Sequence, residues 1–560
     1  MSTTADRPWL ALYDEGTPAE IEREYDSALE MFAASARRAA DRTAIRYFDS
    51  ALTWSEVDRM SDALAVGLAG LGVKPGDRVG VYLQNVPQFV IAMVATWKAG
   101  AIMVSINPMY KRRELAEILD DSGATALIAL DSLYGDVAAD VVPDTDVTAV
   151  VTTSPLDLLA PEEAAAIPLL AGVERARHEG THDLLELARA HDGETPAPVA
   201  LGPDDVAFLT YTSGTTGPPK GAMNTHGNVV FNAQSYRDWM RLDEDDSVFG
   251  AAPLFHITGL IGHVAVAMLV PMPLLLFYRF DPGVALDIAE RHRPTFTIAA
   301  ITAFIAMLHH PSAADRDISS LVKLYSGGAP IPAAAVEAFE ATFGLYIRNG
   351  YGLTETTSPS HVVPLDRRAP VDESSGALSV GVPLFNTVVR IVGEDGEELP
   401  PGEIGEFVTS GPQVVPGYWE KPEETENALP GGALRTGDVG FMDADGWFYL
   451  VDRKKDQINA SGYKVWPREV EDVLYGHEAV REAAVVGVPD AYRGEALVAA
   501  VVVDGAAPVS VEELLVHLGE RLVAYKVPRD VRLVDALPKT SVGKVDKSRL
   551  RDEVLRARPD

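Results

Sequence analysis

The chain has 560 residues, enough for three or four structural units, because a single core stops growing well before that length. Its composition, 47% hydrophobic and 23% charged, excludes disordered and fibrous classes. Acidic residues outnumber basic ones 82 to 48, a formal charge of −34 that repels polyanions and argues against nucleic acid or an anionic membrane surface as partner. The absence of cysteine excludes disulfides, cysteine-held metals and a protein thiol nucleophile.

The first residues, MSTTADRPWLALYDEG, carry no basic stretch followed by an apolar one, so no signal peptide and a cytoplasmic location are expected. The pattern then predicts a helix over 55–71 closed by Gly72, a strand over 78–83, a helix over 86–99 stopped by Gly100 and a strand over 101–106. This is the rhythm of an α/β domain with buried parallel strands. Residues 143–200, rich in Ala, Pro and acid, read as a surface insertion. The rhythm resumes with a strand over 208–211, helices over 228–241 and 285–292, and strands over 295–300 and 321–325. The stretch 259–278 has no Asp, Glu, Lys or Arg over a bilayer-spanning length, but Pro271 and Pro273 interrupt it. A buried helix ending near Val270 and a strand over 274–278 are predicted there instead, and no integral membrane span.

Between about 376 and 450 the pattern changes to short β runs, 387–392, 406–410 and 447–451, separated by Gly, Pro and Asp turns. After the charged run 452–456 it becomes α+β, with helices near 468–475 and 511–522. The expected architecture is therefore α/β. A large N-terminal domain, 1–451, comprises two α/β sheet subdomains (about 1–200 and 201–375) and a β-barrel-like subdomain (376–451). A hinge at 452–456 and a small mobile α+β domain, 457–560, follow.

The strongest local motif is YTSGTTGPPKG, residues 211–221. The hydroxyls of Thr212, Ser213, Thr215 and Thr216 lie among Gly214 and Gly217 directly after a strand, so backbone N–H groups and hydroxyls can wrap a polyphosphate while Lys220 adds charge. It is not a Walker loop, because Pro218-Pro219-Lys220-Gly221 prevents a helix from starting there. Further motifs follow: PLFHITG (253–259), YSGGAP (325–330), NGYGLTET (349–356), TGD (436–438), DRKKDQINASGYKV (452–465) and PKTSVGKVDKSRL (538–550). In NGYGLTET, Tyr351 offers a flat ring to a base between Gly350 and Gly352. Thr354 and Glu355 place acceptors near phosphates, and Glu355 suits Mg²⁺, which takes one or two protein oxygens beside those of a nucleotide. Read alone, the same residues also fit a buried tyrosine and a capping pair at a helix start.

In this order and over most of the chain, these motifs resemble the adenylate-forming enzymes: acyl-CoA synthetases, non-ribosomal adenylation domains and firefly luciferase. The resemblance implies ATP, Mg²⁺ and coenzyme A, with ATP held by 212–217, Lys220, Gly328, Ala329, Pro330, Asn349 to Gly352, Thr354, Asp438, Arg453 and Lys544. It implies that Thr212 shares the metal with Glu355, that Asp438 accepts the ribose hydroxyls, and that Lys544, otherwise one more solvated lysine, is catalytic together with Glu355 and Thr354. His256, Thr258, Ala303, Gly328 and Tyr351 would line the acyl pocket. Lys455 would be the pivot, with Gly462, Tyr463 and Lys464 along the thiol tunnel.

The expected reaction is two-step: a carboxylate forms acyl-AMP with release of pyrophosphate, and coenzyme A then takes the acyl group. Only sixteen residues follow Lys544, with no carrier domain among them, which favours free coenzyme A as the acceptor. A medium- or long-chain fatty acid is the expected substrate. An aromatic, hydroxycinnamate- or benzoate-like acid and a stand-alone adenylation enzyme loading a carrier protein are the alternatives. A homodimer stays open.

Overall fold

The computed structural model describes residues 7–212, 219–328, 331–372, 376–460, 463–490, 494–503, 509–540 and 544–557. Among them the chain forms four sheets, of nine, seven, four and five strands. The seven-stranded sheet runs His182–Asp183, Ala149–Thr153, Ala124–Leu130, Arg78–Tyr82, Ile102–Ser105, Val206–Thr212 and Lys220–Thr225, parallel except for the last strand. The parallel heart of the nine-stranded sheet is built from Arg348–Leu353, Lys323–Gly327, Phe296–Ala299, Val248–Phe249, Leu274–Leu276 and Thr43–Tyr47.

The two sheets interleave in sequence. Thr43–Tyr47, early in the chain, pairs with Leu274–Leu276, whereas Val206–Thr212 completes the earlier sheet beside Ile102–Ser105. The expected division near 200 therefore does not coincide with a sheet boundary. Residues 143–200 are likewise more than an insertion: Ala149–Thr153 is wholly buried and His182–Asp183 pairs beside it.

Helix Pro87–Lys98, in which every residue is buried, packs on strands of both sheets. Helix His226–Trp239 is buried except at Arg237 and Asp238. Helices surrounded in this way have no polar face to show, so neither reads as a clean amphipath in the sequence. The uncharged stretch after His256 is helical from Ile257 to Leu269, with a π-helical turn at Leu260–Ala265, and is followed by the buried strand Leu274–Leu276. That strand ends short of the predicted 278 because Tyr278 adopts φ 67° and bridges to Asn85. Among the described residues no helix is long and apolar enough to cross a membrane.

The β-rich unit is an open antiparallel sheet, Val388–Val392, Gly405–Ser410, Leu434–Met442 and Phe448–Arg453, and not the barrel-like unit expected. Its outer strands do not pair with each other, so nothing closes it. The described residues from Ile458 onward form the five-stranded sheet, built on the long hairpin Val480–Asp490 and Gly494–Val503, with helices Pro467–Tyr475, Val511–Arg521 and Lys547–Arg556 covering its two small cores. A short 3-10 turn, Lys454–Asp456, links it to strand Phe448–Arg453.

Candidate active site

Three of the sequence motifs follow the carboxyl ends of parallel strands, the place where open α/β sheets bind ligands. Strand Val206–Thr212 ends where the hydroxyl-rich motif continues in sequence, Lys323–Gly327 leads into Gly328, and Arg348–Leu353 into the 3-10 turn Thr354–Thr356. Packing requires two of the glycines. A Cβ on Gly327 would stand 2.8 Å from the Gly350 carbonyl oxygen, and one on Gly352 would stand 2.1 Å from that of Ser358. Both contacts are with backbone, which a substituent cannot push aside cheaply.

The turn carrying Glu355 is fastened from below. The Asn224 side-chain amide donates to the Thr354 carbonyl and to Thr357 Oγ1, both at 3.0 Å. Asn232 donates to the Thr356 carbonyl at 3.1 Å. These bonds hold Thr357 and Ser358 at φ 50° and 83°, a left-handed conformation uncommon for residues with a side chain. Glu355 itself accepts the Tyr418 hydroxyl on Oε1 at 2.7 Å, and its carbonyl accepts the Val415 N–H at 2.9 Å. The Lys220 ammonium lies over the Tyr418 ring, 5.4 Å from its centre. Sequence reasoning missed Tyr418. Its only signal is an aromatic residue in a Gly-rich turn, and its partner is 63 positions away.

Asp438 and Arg453 are register partners on neighbouring strands. The buried Asp438 carboxylate accepts the Tyr351 hydroxyl on Oδ2 at 2.7 Å and faces Arg453 Nε across 3.5 Å from Oδ1. Burial raises both the Asp438 carboxyl and the Tyr351 hydroxyl above their usual ranges, while Arg453 draws each partly back. The Tyr351 ring sits edge-on to His361 and Phe407, in an aromatic cluster that fixes its plane.

Lys544 reaches this group from the C-terminal domain. Its side chain lies across Gly328, where a Cβ would meet Lys544 Cε at 3.3 Å and Nζ at 3.5 Å. Gly328 adopts φ 80°, so a side chain there would be strained as well as crowded. Burial, reinforced by the Arg453 charge, lowers the ammonium's pKa to about 8, against the opposing pull of Asp438 and Glu355. His256 feels the same charge: burial and then Lys544 take its ring down to about 3, so it stays neutral. Its Nδ1 accepts the Thr258 N–H at 3.3 Å, capping the start of the helical stretch. Thr258 and Ala303 are half-buried.

Other expected residues lie differently. The Asn349 amide donates to the Ser379 carbonyl at 3.0 Å, so this buried side chain ties strand to loop. Lys464 pairs with Glu394 at 3.0 Å on the open surface, and Lys455 lies exposed in the linking turn. Ser213, Gly214, Thr215, Thr216, Gly217, Ala329, Pro330, Gly462 and the Tyr463 side chain fall outside the described residues.

For a magnesium ion, the donor set fits. Glu355 supplies one carboxylate, and the turn that carries it packs against strand Val206–Thr212, which ends in the Thr212 hydroxyl. Among the described residues no group of three or more His, Cys, Asp or Glu could make an all-protein cage. A sparse site of that kind suits Mg²⁺ that takes its remaining oxygens from a nucleotide.

Residues 32–419 match the AMP-binding enzyme family and residues 469–544 match the AMP-binding enzyme C-terminal domain; the chain belongs to this family. A long-chain-fatty-acid–CoA ligase of Bacillus subtilis (strain 168) is 37% identical over 98% of both chains. A feruloyl-CoA synthase of an Amycolatopsis species is 39% identical over 92% of this chain and 96% of that one. The solved structure of the anthranilate CoA ligase AuaEII with anthranoyl-AMP superposes with a TM-score of 0.86 at 27% identity, covering 96% of this chain and 98% of that one. The protein is an AMP-forming acyl-CoA synthetase that uses ATP, Mg²⁺ and coenzyme A.

Replacing Gly352 with Ala should force the Thr354–Thr356 turn away from Ser358. We expect thioester synthesis to fall at least about tenfold and the melting temperature by a few degrees, the cost of overpacking a tight backbone contact. Calorimetry and a steady-state assay on the purified variant check both.

Proposed function

We propose that the enzyme activates a medium- or long-chain fatty acid, and that Lys544 drives the first half-reaction. The observation that carries this reading is that Lys544, lying across Gly328, feels the charges of Asp438, Arg453 and Glu355, the four coming from separate segments. In the first step the substrate carboxylate oxygen attacks the α-phosphorus of ATP, and the bond to the pyrophosphate oxygen breaks. Negative charge builds between attacker and phosphorus, and the Lys544 ammonium neutralises it there. Asp438 accepts the ribose hydroxyls with Arg453 beside it, Tyr351 stacks on the adenine, and Gly350 and Gly352 let the base approach the backbone. Asn349, Gly328, Ala329, Pro330, Thr354 and the 212–217 loop with Lys220 complete the nucleotide cradle. Glu355 and Thr212 would hold the magnesium ion, which would supply charge neutralisation at the phosphates. His256, Thr258, Ala303, Gly328 and Tyr351 face the acyl chain. His256, held neutral by burial, adds no charge against an apolar substrate.

In the second step the coenzyme A thiol attacks the mixed anhydride and AMP leaves. Gly462, Tyr463 and Lys464 line its approach after the C-terminal domain turns about Lys455. The chain owns no thiol, so the sulfur must come from the bound co-substrate. The reading includes a cytoplasmic location, where ATP and coenzyme A are supplied, with size-exclusion chromatography to decide between monomer and homodimer.

Fatty acyl specificity draws on the Bacillus ligase and on the small or apolar side chains at 258, 303 and 328. The Amycolatopsis synthase, at 39% identity, supports an aromatic acid as the second reading. A panel of carboxylates from acetate through palmitate, with benzoate and ferulate, separates them by pyrophosphate release with and without coenzyme A. The fatty acyl reading expects kcat/KM to rise with chain length beyond six carbons and to stay low for ferulate; ferulate as the best substrate overturns it. Loading of a carrier protein in place of coenzyme A, tested in the same assay, would support the adenylation alternative.

Lys544→Ala should abolish pyrophosphate release while largely sparing thioester formation from supplied acyl-adenylate. In the native enzyme kcat/KM for ATP, which reports the free enzyme, should fall as pH rises through about 8 because the ammonium is then lost. A pH profile with no such limb, or equal loss of both half-reactions in the variant, sinks the role. Tyr418→Phe should raise the Mg²⁺ concentration needed for half-maximal activity by about tenfold, since a hydrogen bond to a charged group contributes roughly 1.5–3 kcal/mol. An unaltered Mg²⁺ titration would show that the tyrosine does not govern Glu355.

A further inference from the structure

Strand Phe448–Arg453 ends the four-stranded sheet just before the linking turn, and its Asp452 is buried. From this side of the turn it accepts the backbone N–H of Arg468 at 3.1 Å, while Arg468 Nη1 donates to the Leu450 carbonyl at 2.6 Å. Both acceptors precede the turn and both donors follow it. A third contact comes from much farther along. Lys547, the first residue of helix Lys547–Arg556, places its Nζ 2.9 Å from Glu471 Oε1 and 4.0 Å from Asp452 Oδ2. Glu471 Oε1 also accepts the Val485 N–H at 2.7 Å, so the pair is tied into the long hairpin.

This cluster stands next to the chemistry and is not part of it. Asp452 adjoins Arg453, the partner of Asp438, and Lys547 lies three residues after Lys544. The chain on either side of this interval is hydrogen-bonded. The Thr540 N–H donates to the Lys544 carbonyl at 2.7 Å, the Lys544 N–H donates to Thr540 Oγ1 at 3.2 Å, and the Asp546 side chain caps the helix at Arg549. Lys547 and Lys544 thus sit three residues apart in one hydrogen-bonded stretch, the geometry through which a displacement of one would carry the other. Exposed ion pairs hold geometry weakly, but Asp452 and Glu471 are both buried, so loss of the Lys547 charge that faces them leaves two buried carboxylates, one on each side of the turn, without that counter-charge.

We propose that Lys547 is a positioning residue: by docking between Glu471 and Asp452 it latches the C-terminal domain to the sheet edge and so sets Lys544 across Gly328 for the first half-reaction. The inference rests on the role given above to Lys544. Because the turn at Lys454–Asp456 separates Asp452 from Arg468 and Lys547, the latch has to open before that domain can turn.

The test compares Lys547→Met and Lys547→Arg in two assays, pyrophosphate release from ATP and carboxylate, and thioester formation from supplied acyl-adenylate and coenzyme A. Lys547→Met should lower kcat for the first at least about tenfold with the KM for ATP near native, leave the second within about twofold, and be largely rescued by Lys547→Arg. The chain has no cysteine, so spin labels on exposed Val322→Cys and Val516→Cys report domain orientation without background. Their distance distribution should broaden in Lys547→Met and not in Lys547→Arg. Equal loss of both half-reactions, or a native first half-reaction with a native distance distribution, overturns the proposal. If Lys547→Met does not fold, Glu471→Gln removes the other charge of the pair and must give the same split. Lys544→Ala run in parallel separates the two readings: if it spares pyrophosphate release, the role of Lys544 fails; if it abolishes release while Lys547→Met does not, only the latch fails.

Discussion

A lysine ammonium held half out of water next to a carboxylate and a guanidinium is the interaction around which the molecule is organised. Desolvation favours the neutral amine, and the Arg453 charge pushes the same way. Asp438 and Glu355 oppose them, and the balance leaves Lys544 able to be cationic near neutral pH and able to respond to an arriving phosphate. In a chain with a formal charge of −34, an anionic nucleotide is drawn only to such a local gathering of cations. Lys220, Arg453 and Lys544 come from the strand Lys220–Thr225, the edge of the four-stranded sheet and the C-terminal domain. They come from separate elements, so on the proposed reading the site exists only when the units are docked.

The support beneath Glu355 illustrates how strain is held in place. Thr357 and Ser358 sit at positive φ, which costs on the order of 1–3 kcal/mol at each residue. Asn224 and Asn232, on a neighbouring strand and the buried helix, answer with amide bonds to the carbonyls that this conformation turns inward. Tyr418 then fixes one carboxylate oxygen from the opposite side. The result is a carboxylate aimed by three elements and presented on a turn too tight to relax, the preorganisation that electrostatic catalysis needs.

Much of this was legible in the sequence, because the information was local. Helix Trp54–Gly70 and strand Arg78–Tyr82 fall within a residue or so of the predicted 55–71 and 78–83, since glycine and the Pro-Gly-Asp turn punctuate them. The mixed α/β architecture followed from the alternation of such pieces. The interleaving of the two large sheets did not, because the pairing of Thr43–Tyr47 with Leu274–Leu276 joins strands more than two hundred residues apart and leaves no mark on either. Ala149–Thr153 was hidden in a segment whose composition looks like surface, although its own five residues are all buried. At the site, motif residues such as Tyr351, Glu355, Asp438 and Lys544 could be nominated singly, but the bond from Tyr351 to Asp438 and the one from Tyr418 to Glu355 are properties of the folded chain. Asn349 shows the reverse: a motif position whose side chain is engaged by a backbone carbonyl.

On the proposed reading, the docked arrangement serves the first half-reaction. Lys544 is at Gly328, while Lys464, on the same C-terminal sheet, is paired with Glu394 at the surface. Residues 544 and 464 belong to one packed unit, so the proposed movement of the second toward the nucleotide must take the first away. The two outward contacts of that unit differ in kind. The Lys464–Glu394 pair is exposed, 62% and 80% at its side chains, and such pairs contribute about 0–1 kcal/mol. Asp452 is buried, accepts the backbone N–H of the buried Arg468, and faces Lys547, 22% exposed at its side chain, across 4.0 Å; a buried carboxylate that loses its counter-charge costs several times more. On the proposed reading, then, the barrier between the half-reactions lies in the charge cluster around Asp452, and acyl-adenylate formation must alter that balance before coenzyme A can react.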